Sequence, residues 1–378
     1  MSDTDILDAV DRFLDREVRP QVARLEHDDI WPETIVAGMA ELGLFGATIS
    51  PDHGGLGLSA ATYARIVERV ARVWMSLAGI FNSHLIAAAM VERFGTEAQK
   101  RAFLPEMAAG AKRGGLALTE PDCGTDLQAI RMRAVRDGGG YVLNGTKTWI
   151  SNGLHGQVFA VLVKTDPDAD PVHRGMSAFL LEKGPGFAAG RKFEKLGYKG
   201  IDSAELIFED HRVGPERLIG GVEGKGLSHT LAALELGRIN VAARGVGVAP
   251  AALDEALRYS QIRKTFGKPI CEHQAIQIKL ADMATRTQAA RLLTDAAAQA
   301  YDRGGRTSLE TSMAKLFASE AAVENSLEAM RVHGGYGYSK EFPVERLYRD
   351  APLLVIGEGT SEVQRLVIAR QLIERNPI

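Results

Sequence analysis

The chain has 378 residues, room for two or three domains at roughly 150 residues each. Its 45% hydrophobic and 25% charged residues exclude collagen-like, low-complexity and disordered classes. A total of 45 Lys and Arg against 48 Asp and Glu leaves a net charge of −3, which supplies no basic field for a nucleic acid, and no local basic cluster replaces one. Two cysteines, Cys123 and Cys271, stand apart without a CxxC pairing, which excludes a disulfide scaffold and a thiolate zinc site and points to a reducing compartment.

The start, Met1-Ser2-Asp3-Thr4-Asp5, is acidic and polar, unlike a secretory signal, so a cytoplasmic location is expected. From Asp5 to about Gly110 apolar residues recur every three to four positions, broken at Pro20, Pro32, Gly43 and the glycine-rich stretch 52–57, which predicts a bundle of helices. The longest apolar run, 77–91, is interrupted by Asn82, Ser83 and His84 and falls short of the roughly 20 residues a membrane span needs, so no membrane segment is expected. Thr96 three residues before Gln99 is a capping-box signature opening a helix to about Ala109.

Between about Leu116 and Val213 short runs rich in Val, Ile, Phe and Thr alternate with Gly-containing turn signals, which predicts a β domain. Asn144-Gly145 between 141–143 and 146–150 reads as the type I′ turn of a hairpin, with further strands at 158–164, 176–182 and 204–209. Residues 221–226 read as a flexible linker. Helical periodicity returns after Gly226 and persists to Ile373, with long helices at 228–262, 274–301 and 308–331. The chain therefore divides into a helical domain 1–115, a β domain 116–224 and a helical domain 225–378, an α+β multidomain class without the strand-helix alternation of a nucleotide-binding sheet.

No metal, hydrolase or P-loop signature is present: the histidines lack HExxH spacing, Gly-x-Ser-x-Gly is missing, and His333-Gly334-Gly335-Tyr336-Gly337-Tyr338 lacks GxGxxG spacing and reads as a helix C-cap. Four separated segments carry information: 116–126, a strand running into a polar turn; Trp149-Ile150-Ser151-Asn152-Gly153; the basic loop Arg263-Lys264-Thr265-Phe266-Gly267-Lys268 with His273-Gln274; and the turn 331–338 with 355–365, where Glu358 lies between Gly357 and Gly359.

In these segments, and in their order, the chain resembles the acyl-CoA dehydrogenase family over nearly its whole length. The resemblance implies an N-terminal helical domain, a middle β-barrel-like domain, a C-terminal four-helix bundle, non-covalent FAD, an acyl-CoA substrate, an electron-transferring flavoprotein as acceptor, and a homotetramer or dimer. It implies that Leu118, Thr119 and Thr125 contact the flavin ring and that Trp149 and Ser151 line its N5 side. Arg263, Phe266, His273, Gln274, Arg331, Gly334 and Gly335 would meet pyrophosphate and adenosine across a subunit interface. Thr360 and Glu362 would bind the diphosphate or ribityl region.

Glu358 would be the base that takes the α-proton of the thioester as hydride leaves the β-carbon, with the Glu358 N–H and a ribityl hydroxyl polarising the carbonyl. Arg238 would position it, while Thr125, Glu235, Arg238 and Gly359 would touch substrate. Some members carry the base immediately before the Arg238 position; here that residue is Gly237, which favours Glu358, with Glu235 the lesser rival. A glutamate flanked by Ile356, Gly357 and Gly359 has little polar solvation, which raises its pKa toward the working pH of a general base. Arg331 replaces a usual glutamine. Gly357 replaces a frequent tyrosine, which opens the pocket to branched or bulky acyl groups. Same-fold alternatives are an acyl-CoA oxidase, a desulfinase, a dehydrogenase of carrier-bound acyl chains, or a silent flavin-binding subunit.

Overall fold

The structure, a computed structural model, describes residues 3–378, so Met1 and Ser2 of the acidic start lie outside the described residues. Helices α1 (Asp3–Phe13), α2 (Val22–His27), α3 (Glu33–Glu41), α4 (Ala60–Phe94) and α5 (Glu97–Ala108) come first. α5 opens with the capping box: the Thr96 hydroxyl accepts from the Gln99 N–H and the Gln99 side chain accepts from the Thr96 N–H. α4 is long and apolar enough to cross a membrane, but its most apolar stretch is 94% buried inside the protein. Its helical path breaks at Trp74 (φ −154°, ψ 104°), where Arg346 donates to the Val73 carbonyl.

A seven-stranded sheet follows: β1 (Gly114–Ala117), β2 (Arg133–Asp137), β3 (Gly140–Ser151), β4 (Val158–Lys164), β5 (Met176–Glu182), β6 (Phe187–Lys192) and β7 (Ser203–Val213), ordered β1-β4-β2-β3-β7-β6 with β5 on β4. The near-continuous apolar character of β4 has a simple origin. Phe159, Val161 and Val163 enter the core of the β domain, while Val158 and Ala160 on the opposite face join the core of the helices.

The expected hairpin at Asn144-Gly145 is corrected: β3 runs continuously through it, and Gly145 (φ 143°) sits at a bulge against β7. The tight turn lies earlier, at Gly138 (φ 55°) and Gly139 (φ 91°), with Asp137 paired to Gly140 across it. Both positive φ angles suit a type I′ turn, and two glycines meet them at least as well as Asn-Gly.

The C-terminal region holds α6 (Gly226–Ile262), a ribbon of β8 (Lys264–Thr265) and β9 (Lys268–Pro269), then α7 (Gln274–Asp302), α8 (Ser308–His333), α9 (Val344–Asp350), α10 (Pro352–Ile356) and α11 (Ser361–Arg375). α6, α7 and α8 pack mutually, α11 lies on α8, and α4 lies along α6, so the two helical regions share one apolar core. The stretch 221–226 is no flexible linker. Gly224 N–H donates to Ser177 Oγ, Glu223 accepts from the Tyr141 hydroxyl at 2.6 Å and pairs with Arg136, and a Cβ on Gly226 would collide with the Ser177 backbone.

Candidate active site

Glu358 sits between α10 and α11 with left-handed backbone (φ 55°), followed by Gly359 (φ 86°). For a non-glycine residue that conformation is strained and persists only where neighbours enforce it. Two buried side chains do so: Lys315 Nζ donates to the Gly359 carbonyl at 2.7 Å, and Gln364 Nε2 donates to the Glu358 and Gly359 carbonyls at 3.2 and 3.1 Å. α8 and α11 thereby both hold the turn, converging on the Gly359 carbonyl.

The Glu358 side chain is 21% exposed. Its Oε1 accepts from Asn82 Nδ2 at 2.6 Å and from Arg244 Nη2 at 3.1 Å, whereas Oε2 is buried without a hydrogen-bond partner among the described residues. Burial raises its pKa above the ordinary carboxylate range, opposed by Arg244, Lys315, Asn82 and Arg238. The carboxylate is thus oriented through one oxygen and left bare at the other, an arrangement suited to accepting a proton.

Arg238 is buried, lies within electrostatic reach of Glu358 and Glu235, and makes no hydrogen bond through Nε among the described residues. Glu235 is also buried, and its carboxylate accepts from Thr307 Oγ1 at 3.1 Å and Ser308 Oγ at 2.6 Å. It ties α6 to the start of α8, so the expected surface or substrate contact is replaced by an internal tether, and its two oxygens are already engaged.

The first two sequence segments meet at one cleft of about 530 Å³, lined by Thr119, Cys123, Gly124, Thr148, Trp149 and Phe193 among others. A buried ion pair joins them: Lys147 Nζ donates to Glu120 Oε1 at 2.8 Å and to the Leu118 carbonyl at 2.9 Å, and Thr148 N–H donates to the Thr119 carbonyl. Glu120 also accepts from the backbone N–H groups of Arg131 and Met132. Beyond Lys147 the register with β7 shifts, and Trp149 (φ 60°) presents a half-exposed indole stacked on Phe193, ring centroids 4.2 Å apart. Leu118, Thr125 and Ser151 flank this cleft without lining it.

The third and fourth segments meet at a second cleft of about 700 Å³, lined by Arg263, Thr265, His273, His333, Gly334 and Gly335 among others. Among the described residues, Gly334 (φ 61°) and Gly335 have no atoms within 4 Å of a Cβ position, so their backbone is open to a close approach. Phe266 extends 97% exposed from the ribbon beside it. Gln274, exposed at the start of α7, lies outside this lining. Arg331 is also absent from this lining; its exposed guanidinium pairs with Glu328 on the preceding turn of α8, 2.5 Å away. Thr360 caps α11, accepting from the Val363 N–H, and Glu362 is exposed in the first helical turn, where hydrogen bonds to its own N–H and to Thr360 lower its pKa.

Both clefts fit a flavin dinucleotide. The first offers an aromatic face and hydroxyls beside an open turn; the second offers an arginine and unobstructed glycine amides, the groups that pair with a pyrophosphate. Sequence reasoning missed Asn82, Arg244, Lys315 and Gln364. Arg244 carried a signal, a lone arginine in the apolar run 239–251 of α6, since a charge so placed is buried with a partner.

Family comparisons match the chain in series: acyl-CoA dehydrogenase N-terminal domain over residues 2–111, middle domain over 115–211 and C-terminal domain over 224–373. The chain is 40% identical to an acyl-CoA dehydrogenase of Bacillus subtilis over 96% of its length and 95% of that protein. It superposes on butyryl-CoA dehydrogenase of Megasphaera elsdenii with a TM-score of 0.95 and 37% identity, covering 98% of both chains. A chain in a structure of the electron transferring flavoprotein of Acidaminococcus fermentans gives a TM-score of 0.95 and 38% identity, covering 98% of this chain and 97% of that one.

Proposed function

Because the chain belongs to the acyl-CoA dehydrogenase family of oxidoreductases, we propose that it desaturates an acyl-CoA thioester between the α- and β-carbons, with Glu358 as the base. The observation that carries this reading is the Glu358 carboxylate itself, desolvated, held through Oε1 and, among the described residues, unpartnered at Oε2. FAD, when bound, would supply the hydride acceptor; Thr119 and Trp149 at the first cleft would hold its flavin, and Arg263, His273, Gly334 and Gly335 at the second would meet the pyrophosphate and adenosine side across a subunit interface.

The chain's own residues prepare the proton transfer. Asn82 and Arg244 orient the carboxylate so that Oε2 receives the α-proton. Burial makes the ionised carboxylate a stronger base than it is in water. Lys315 and Gln364 fix the left-handed turn, and the Glu358 N–H is the group we assign to polarise the thioester carbonyl. The free thiols Cys123 and Cys271 support a reducing, cytoplasmic location. Exposed Ile278 and Leu292 on α7 and Leu366 and Ile373 on α11 support a homo-oligomer, dimer or tetramer. Family membership supports an electron-transferring flavoprotein as the onward acceptor.

The test is an anaerobic titration of the purified yellow protein with straight, branched and dicarboxylic acyl-CoAs. Bleaching of the oxidised flavin band by at least one of them is expected. A flavin that none of them bleaches would overturn the reading.

A further inference from the structure

The surroundings of Glu358 carry more charge than a plain hydrocarbon acyl chain needs. Three cations are buried there: Arg238, 8% exposed, Arg244, 4%, and Lys315, fully enclosed. Glu358 is the carboxylate that answers Arg244, and the other acid near Arg238, Glu235, is committed to Thr307 and Ser308.

α6 places Gly237, Asn240 and Arg244 at i, i+3 and i+7, along one face. Arg244 Nη1 donates to the Tyr198 hydroxyl at 3.2 Å, and its Nε is buried with no partner among the described residues. Asn240 Nδ2 donates to the Tyr63 hydroxyl at 2.8 Å. Both phenol oxygens therefore accept a hydrogen bond, and neither O–H has an acceptor among the described residues. Among the described residues, Arg244 Nε, Tyr63 O–H and Tyr198 O–H form a buried set of donors without an acceptor. Such groups are costly to leave unmade.

The proposed reaction sharpens the imbalance. As Glu358 takes the α-proton its charge is lost, and Arg244 is left as a buried cation with no counter-ion, an expensive state. A carboxylate on the substrate would supply that counter-ion and the missing acceptor together. We propose, resting on the dehydrogenase reading above, that the acyl group carries a carboxylate of its own, a short dicarboxylic acid bound as its monothioester and recognised by Arg244.

The chain length follows from the geometry. Arg244 Nη2 lies 3.1 Å from Oε1 of Glu358, and a reacting α-carbon sits about 3–3.5 Å from the other oxygen of the same carboxylate, Oε2. Across the carboxylate, the guanidinium is therefore within roughly 9 Å of the α-carbon, a span that a diacid of four or five carbons bridges with its carboxylate hydrogen-bonded to Arg244 and that a much longer one overshoots. The step balances: the α-proton passes to Glu358, a hydride leaves the β-carbon for FAD, and the remote carboxylate keeps its charge.

The experiment measures flavin reduction by succinyl-CoA against butyryl-CoA and by glutaryl-CoA against pentanoyl-CoA, in the wild-type holoenzyme and in Arg244→Gln and Arg244→Lys. The wild type is expected to favour one dicarboxylic thioester over its matched partner by about 10- to 100-fold in kcat/KM, the worth of a charge-assisted hydrogen bond. Arg244→Gln should bring that ratio near one, and Arg244→Lys should restore part of it. A wild type that handles the monocarboxylic partners equally well or better would overturn the proposal, whether or not the variants fold. So would an Arg244→Gln enzyme slowed equally on both classes, because that is the result of a role confined to holding Glu358. Flavin untouched by every thioester would remove the dehydrogenase reading, and this proposal with it; bleaching by butyryl-CoA alone would remove only the proposal.

Discussion

Glu358 and Gly237 occupy each other's space: a Cβ on Gly237 would lie 2.3 Å from Glu358 Oε2. The Glu358 carboxylate can rest in this position only because α6 carries no side chain there. Ile86 from α4 closes the same point at 2.7 Å, so the added methyl has no room to turn aside. The glycine is thus a condition for placing this carboxylate from the α10–α11 turn.

Gly237→Ala should therefore push the carboxylate off its Asn82 and Arg244 bonds. A displacement of about 1 Å at a reacting group costs about 100-fold in rate, and the variant should lose about that in kcat while retaining flavin. Turnover together with the flavin content of the purified variant checks this. An Ala variant at wild-type rate would mean that Glu358 works from a different position.

Glu358→Gln keeps the hydrogen bond from Asn82 and removes the carboxylate proposed to accept the proton. Flavin content and oligomeric state should be unchanged while turnover falls by about 100- to 10,000-fold, the usual contribution of a general base. In the wild type, activity requires the ionised carboxylate, so kcat/KM should fall with decreasing pH through a group titrating above the normal carboxylate range. An active Gln variant would transfer the role to another residue.

The division into helical, β and helical regions was legible because periodicity of 3.6 and 2 reads directly from Val, Leu and Ala placement. β4 and β5 and the helices α6 to α8 were found to within two residues. Asn144-Gly145 misled because a turn dipeptide and a bulge dipeptide share the same glycine requirement, and only the partner strand decides between them. Glu358 stood out through its glycine neighbours. Asn82 and Arg244 did not, since they reach it from 276 and 114 residues away, a proximity that packing of α4 on α6 creates.

Lys147 and Glu120 lock the two strand ends beneath the first cleft, and both are buried. Lys147→Met would leave Glu120 with two backbone donors but no counter-charge. Removing one partner of a buried pair costs about 3–5 kcal/mol, so the urea midpoint should drop sharply, and flavin should be lost at lower denaturant than global unfolding because Thr119 and Trp149 are no longer held together. Coincident loss of flavin and fold in both proteins would argue against a local role.

Asp350 at the end of α9 is fully enclosed and accepts from the Tyr198 N–H at 2.5 Å. Burial pushes its pKa up to about 6, against about 3.9 in an unfolded chain. Between these values the folded state binds more proton than the unfolded state, so the contribution of this group to stability is complete below about pH 4 and is lost as pH rises to about 6. Asp350→Asn retains an oxygen for the Tyr198 N–H and does not titrate. Relative to the wild type, its urea-derived stability should therefore improve across that window, by at most about 1.4 kcal/mol per pH unit, and the difference should level off above it. Parallel curves from pH 4 to 7 would show that Arg346 and Arg349 hold Asp350 ionised throughout, with its charge compensated in the folded protein.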